Sequence, residues 1–251
     1  IEPSDNVNNV ASVTIGENVT YYTDLAKALA NADGGTVKLL NNSSLNEYTE
    51  ITSNCTIDLN GKTISGSNSQ TLLSIRGDVT ICDESAEKNG KIINNYTGSS
   101  PNALNLQSGK LTIKGGTFEV KEILGNALLA SSSPYYSSLS IEGGKFNRNV
   151  IIYNFSNCIS GGTFHHLYNS NVIADLLKDG HGFQKTGGSW LSASELGDAS
   201  ARSVTVVPTP ISGITVKSEK DTYSYGEDVT LTANASSDTS THPTYQWYRI
   251  R

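Results

Sequence analysis

Three sets of residues in this 251-residue chain carry groups that could do chemistry. The first is Asp83, Glu84 and Glu87 with Lys88 beside them. Carboxylates at that local spacing suit a hard cation such as Ca²⁺, and a neighbouring amine could take a proton from the carbon next to a metal-bound carboxylate. The simpler reading is a solvated acidic turn on an acidic protein, and no residue pattern asks for another cofactor. The second set is Tyr135, Tyr136, Tyr153 and Phe155, whose rings could stack on the apolar faces of sugars while the tyrosine hydroxyls form hydrogen bonds. Ordinary surface or core packing accounts for them as readily. The third is His165 and His166, between Phe164 and Tyr168. Adjacent residues of a regular strand point to opposite faces, so these two should not ligate one zinc ion. No Ser/His/Asp set or paired CxxC motif is present, and the Gly-Gly pairs lack the following helix that phosphate binding needs.

Composition narrows the setting for these groups. The formal net charge is 18 − 24 = −6, and no Lys/Arg-rich run occurs, which excludes nucleic acid as a partner. Apolar runs such as Val204 to Pro208 fall far short of the roughly 20 residues that cross a bilayer as a helix, so direct membrane insertion is not expected. Gly, Ser, Thr and Asn are abundant and aromatics few, which suits short strands separated by turns. The chain opens at Ile1 without an apolar leader, as expected if an export signal has been removed or the chain has been trimmed. Three cysteines (Cys55, Cys82 and Cys158) are too few for a disulfide scaffold, and each falls in a strand-like segment where a free thiol is expected to be buried.

The elements that must position these groups are repetitive. Thr23 and Asp24 offer N-cap chemistry, Leu25, Ala28 and Leu29 recur at helical spacing, and Gly34-Gly35 stops the pattern, so residues 1–35 are expected to form a cap with a short helix. A strand, Thr36 to Leu40, follows. From residue 51 an apolar strand, a glycine corner and a second strand recur, as in Leu111-Thr112-Ile113-Lys114-Gly115-Gly116-Thr117-Phe118. Similar copies occupy 139–146 and 158–164. Taking Gly61, Gly90, Gly116, Gly144 and Gly162 as equivalent gives spacings of 29, 26, 28 and 18 residues. A period in the twenties is the signature of a solenoid, with glycines supplying positive φ at its corners. Ile57, Ile81, Ile113, Ile141 and Ile159 would stack as an interior ladder. Asn171 to Lys178 shows helical spacing, Asp179-Gly180 looks like a helix end and Val204 to Val207 like a last strand, together a closing cap. Pro208-Thr209-Pro210 then reads as a stiff linker. Ile214 to Val216, Asp228 to Ala233 and Tyr245 to Tyr248 alternate like strands of a β-sandwich, with Trp247 as its core aromatic. A sandwich needs about seven strands, so that module is expected to continue beyond Arg251.

The stretch Ile57-Asp58-Leu59-Asn60-Gly61-Lys62-Thr63-Ile64 and the Gly-Gly-Thr/Lys-Phe copies resemble the pectate-lyase-like β-helix domains of bacterial surface and secreted proteins. Tyr223 to Glu227 and Tyr245 to Tyr248 resemble an immunoglobulin-like module. The expected class is therefore all-β: a right-handed parallel β-helix over 1–208 with a short N-terminal capping helix, then an incomplete Ig-like β-sandwich over 209–251. By analogy the resemblance implies carbohydrate chemistry, since many such domains are polysaccharide lyases or hydrolases and others are adhesins. Hydrolases resembling this fold use a Gly-His-Gly motif with clustered aspartates. Gly180-His181-Gly182 matches that motif, but no paired carboxylates precede it, and Asp179-Gly180 is better read as a turn. The expected function is a non-enzymatic, extracellular module of a bacterial surface or secreted protein that binds glycan or a host or surface protein, or serves as a rigid stalk. The alternative is a polysaccharide lyase or glycoside hydrolase acting in a groove along the β-helix.

Overall fold

The computed structural model describes residues 8–132, 137–218 and 230–237. It opens with a hairpin, β1 (Ala11–Ile15) and β2 (Asn18–Tyr22), followed by helix α1 (Leu25–Ala30). The Asp24 carboxylate accepts from the Lys27 N–H at 3.2 Å, and Leu25, Ala28 and Leu29 are buried. This is the expected capping helix. The hairpin was not foreseen, because the five residues of β2 are exposed or half-buried and show no buried-face alternation. β1 pairs antiparallel with the first solenoid strand and so covers an edge that would otherwise be open.

Each rung then lays strands on three faces. The first holds β3 (Gly35–Leu39), β4 (Ser43–Ser44) and β5 (Thr49–Ile51). The second holds β6 (Cys55–Asp58), β7 (Thr63–Gly66) and β8 (Thr71–Ile75). The third holds β9 (Asp78–Cys82), β10 (Lys91–Asn94) and β11 (Asn102–Leu106), the fourth β12 (Gly109–Ile113), β13 (Thr117–Val120) and β14 (Asn126–Ser131). After β15 (Ser137–Ile141), the nine-residue β16 (Lys145–Tyr153) runs across both remaining faces. β17 (Thr163–Asn169) follows it in parallel with a register shift between Phe146 and Asn149. The result is a parallel β-solenoid of about five turns.

The apolar ladder is in register. Val37, Ile57, Ile81, Ile113, Ile141 and Ile159 follow one another on face 1, all at 0% exposure, and Leu177 extends the series. On face 2, Phe118, Phe146 and Phe164 stack with successive centroids 5.0 Å apart. At the corner between faces 2 and 3, Asn126 Nδ2 donates to Asn102 Oδ1 at 2.8 Å, and Asn102 Nδ2 donates to Thr71 Oγ1 at 3.1 Å. The three cysteines are free and buried. Burial pushes the Cys82 thiol up to about 11 and the Cys158 thiol up to about 12, so little thiolate forms at neutral pH.

The glycine corners need one correction. Lys91 pairs with Thr63, so the residue equivalent to Gly90 is Lys62, and Gly61 lies one position earlier. Nor does positive φ explain every corner. Gly116, Gly144 and Gly162 have φ of 95°, 97° and 104°, whereas Gly90 is not among the positive-φ residues. A Cβ on Gly90 would lie 2.6 Å from Leu59 Cβ, so close packing reserves that position for glycine.

The closing cap differs from expectation in its helix. Only a 3₁₀ turn, Ile173–Leu176, forms, because Leu177 is extended and bridges to Ile159 as a further step of face 1. β18 (His181–Lys185), α2 (Ala193–Leu196) and β19 (Ser200–Pro208) complete it, with β19 antiparallel to both β17 and β18. The expected strand at Val204 to Val207 lies within β19. Beyond it, β20 (Ile211–Ser218) and β21 (Leu231–Ser237) pair antiparallel and overlap the first two strands expected of the sandwich. The third, with Trp247, lies outside the described residues.

Candidate functional site

The acidic loop between β9 and β10 has a structural task. Asp83 is 3% exposed, and its Oδ1 accepts from Gly61 N at 2.8 Å, Ser85 N at 3.3 Å and Ser85 Oγ at 2.8 Å. Its Oδ2 accepts from Gly90 N at 2.5 Å. Burial works against the charge, but the hydrogen bonds from Ser85, Gly90 and Gly61 outweigh it and hold the carboxyl below its ordinary range. Asp58 reciprocates from the rung before, accepting from Glu84 N and Asn60 N at 2.9 Å each. Each aspartate thus ties the other's corner, a pattern that serves backbone donors an apolar interior cannot satisfy.

Glu84 and Glu87 are exposed, and Lys88 Nζ donates to the Asp83 carbonyl at 2.7 Å. The geometry therefore separates Asp83 from the other two members of the proposed cation set. Among the described residues, no group of three or more His, Cys, Asp or Glu side chains is placed to hold a metal ion. Beside the loop lies a groove of about 330 Å³ that brings in Lys114 and Lys145 from the next two rungs. The melting temperature is expected to be equal in Ca²⁺ and in EDTA. A Ca²⁺-dependent rise that disappears in Glu84→Gln/Glu87→Gln would restore the cation reading.

The aromatic set is redistributed. Tyr135 and Tyr136 lie outside the described residues, and Phe155 is half-buried against the core. Tyr153 stands on the outer surface of face 3 at 37% exposure, and its ring meets that of Tyr168 edge-on at 6.1 Å. Tyr168 follows Leu129 and Ile151 in one outward-facing row, each half-buried. Asn149, His166 and Arg202 form the next row, with His166 Nδ1 3.0 Å from Asn149 Oδ1. Burial, then Arg202 and His165, lower the His166 pKa and keep the ring neutral at neutral pH. The patch therefore offers two phenol rings, an apolar floor and a polar border of amide, imidazole and guanidinium. Tyr168 was missed as a partner for Tyr153 because they are fifteen positions apart in sequence and meet only through the β16–β17 register.

The histidine pair also behaves differently from the alternation argument. Phe164 and Leu167 are the interior positions, both at 0% exposure, so His165 and His166 together occupy the outer bend between faces 2 and 3. His181 begins β18, its Nδ1 2.9 Å from the Asp179 carbonyl oxygen. The glycines beside it have local causes: Gly180 turns with φ of 75°, and a Cβ on Gly182 would lie 2.8 Å from the Trp190 ring. Compared with family models, curated proteins and solved structures, the chain matches none.

Proposed function

We propose that this chain is a non-enzymatic carbohydrate-binding module of a secreted or cell-surface bacterial protein, and that its ligand docks on the outer surface of face 3. The Tyr153–Tyr168 pair carries this reading. Two rings on a rigid sheet lose little conformational freedom on binding, and their faces suit the apolar side of a pyranose. The neighbouring Asn149, neutral His166 and Arg202 supply donors and acceptors for hydroxyl groups. The solenoid belongs, in this reading, with the pectate-lyase-like β-helices. The β20–β21 pair is read as part of an Ig-like module.

Calorimetry against neutral oligosaccharides tests the site. Tyr153→Ala and Tyr168→Ala should each weaken binding about tenfold, the loss of one ring contact worth about 1–2 kcal/mol. Unchanged affinity in both variants would remove face 3 from consideration. Release of reducing ends from any polysaccharide would overturn the non-enzymatic reading and point to the corner groove, where Glu84, Lys88, Lys114 and Lys145 gather.

A further inference from the structure

A second cavity lies at the opposite end of the same face. It measures about 570 Å³ and sits between the start of α1 and strands β4 and β5, lined among others by Asp24, Ser44, Glu47, Tyr48 and Glu50. Tyr48 is 47% exposed, and its hydroxyl donates to Glu50 Oε1 at 3.3 Å. Glu50 belongs to β5 and begins the outward row of face 3. In register from there follow Ser74, Asn105, Leu129, Ile151 and Tyr168. Five strand steps of about 4.8 Å separate Glu50 from Tyr168, so the Tyr48 cavity and the Tyr153–Tyr168 pair lie about 24 Å apart along one row.

We infer that the ligand is an extended, uncharged polysaccharide whose chain runs along this row, with the Tyr48 cavity as a second subsite. The inference rests on the binding reading above and adds the substrate class. The lining is rich in acceptors for sugar hydroxyls, with three carboxylates and the hydroxyls of Thr23, Ser43, Ser44 and Thr49. Its charge selects against acidic polymers: the lining holds Asp24, Glu47 and Glu50 and, among the described residues, no Lys or Arg, while Arg76 pairs with Glu50 from the next rung. An independent sign comes from the second position of the row, beside Glu50. Ser74 is 0% exposed, and its Oγ has no hydrogen-bond partner among the described residues. Its register neighbour Glu50 and its own strand's Arg76 form the adjoining ion pair. A ligand hydroxyl that parted this ion pair would bond to both charges and reach the serine, completing a site that is one partner short.

The test is calorimetric titration with gluco-, xylo- and manno-oligosaccharides from disaccharide to hexasaccharide, with oligogalacturonate as the anionic control. One neutral hexasaccharide should bind at least tenfold tighter than its disaccharide. Tyr48→Ala should abolish that gain while leaving disaccharide affinity intact, and Ser74→Ala should reduce it. Oligogalacturonate should not bind. Equal affinity for short and long chains, with Tyr153→Ala still weakening both, overturns the extended-chain inference and leaves the binding reading standing. Preference for oligogalacturonate also overturns it. Absence of binding to every sugar in the panel overturns both.

Discussion

Phe146→Ala is expected to destabilise the solenoid by about 4 kcal/mol, the middle of the range for a buried phenylalanine. The ring is 1% exposed and stacks on Phe118 on one side and Phe164 on the other, at 5.0 Å in each direction. Truncation leaves a cavity the size of a ring in a column whose neighbours cannot close on it, because their backbones are held at strand spacing by parallel pairing. It also removes two stacking contacts, each worth about 0.5–1.5 kcal/mol. Phe118 and Phe164 each stack on one ring of this column, so their alanine variants should lose less. For a domain of this size the loss corresponds to a fall of about 8–16 °C in melting temperature, read by circular dichroism. If Phe146→Ala melted within a degree or two of the parent, the stacked column would not be a principal support of the later rungs.

Asp83→Ala should follow closely, at about 3 kcal/mol or more. It leaves the Gly61 and Gly90 N–H groups and the Ser85 hydroxyl without their acceptor, and an unsatisfied buried donor costs about 1–3 kcal/mol. Asp83→Asn is a sharper probe. If the amide oxygen keeps the Gly61 bond, its NH₂ faces the Gly90 N–H, donor against donor, and the corner must open. The pH dependence has a definite sign. The folded carboxyl titrates below its ordinary value near about 3.9, so its stabilisation is fully present above that pH and is lost as pH falls through the lower, folded value. Urea denaturation from neutral pH to pH 3 should show the parent losing stability in that acid window and Asp83→Asn losing less. Parallel curves for the two proteins would show that Asp83 contributes no charge-dependent stability.

Much of the architecture was legible because its signals are local. Alternation of apolar and hydroxyl residues, as in Leu111-Thr112-Ile113, follows from the two-residue period of a strand. Recurrence of that unit before Gly-Gly follows from the need to turn at the same place in every rung. Asp24 announced α1 for a similar reason, since an N-cap acts over three residues. The hairpin β1–β2 and the fused strand β16 were not legible. β2 presents mainly exposed residues and so carries no buried face to read, and the corner that β16 omits is set by the bulge opposite β17.

The candidate site divides along the same line. Asp83, Glu84 and Glu87 are neighbours in sequence, and that proximity invited a cation. Only the fold shows that Asp83 turns inward to Gly61 and Gly90 while Glu84 and Glu87 stay in solvent. Tyr153 could be nominated as a platform, but Tyr168, Ile151, Leu129 and the distant Glu50 join it only through strand register. By itself, then, the amino-acid order determined the stacked β-architecture, the interior ladder and the closed ends, because period, turn chemistry and capping act within a few residues. Tertiary structure decided which side chains share a surface. A solenoid places residues about one rung apart in sequence side by side, and a one-residue offset such as that between Gly61 and Lys62 changes which of them meet.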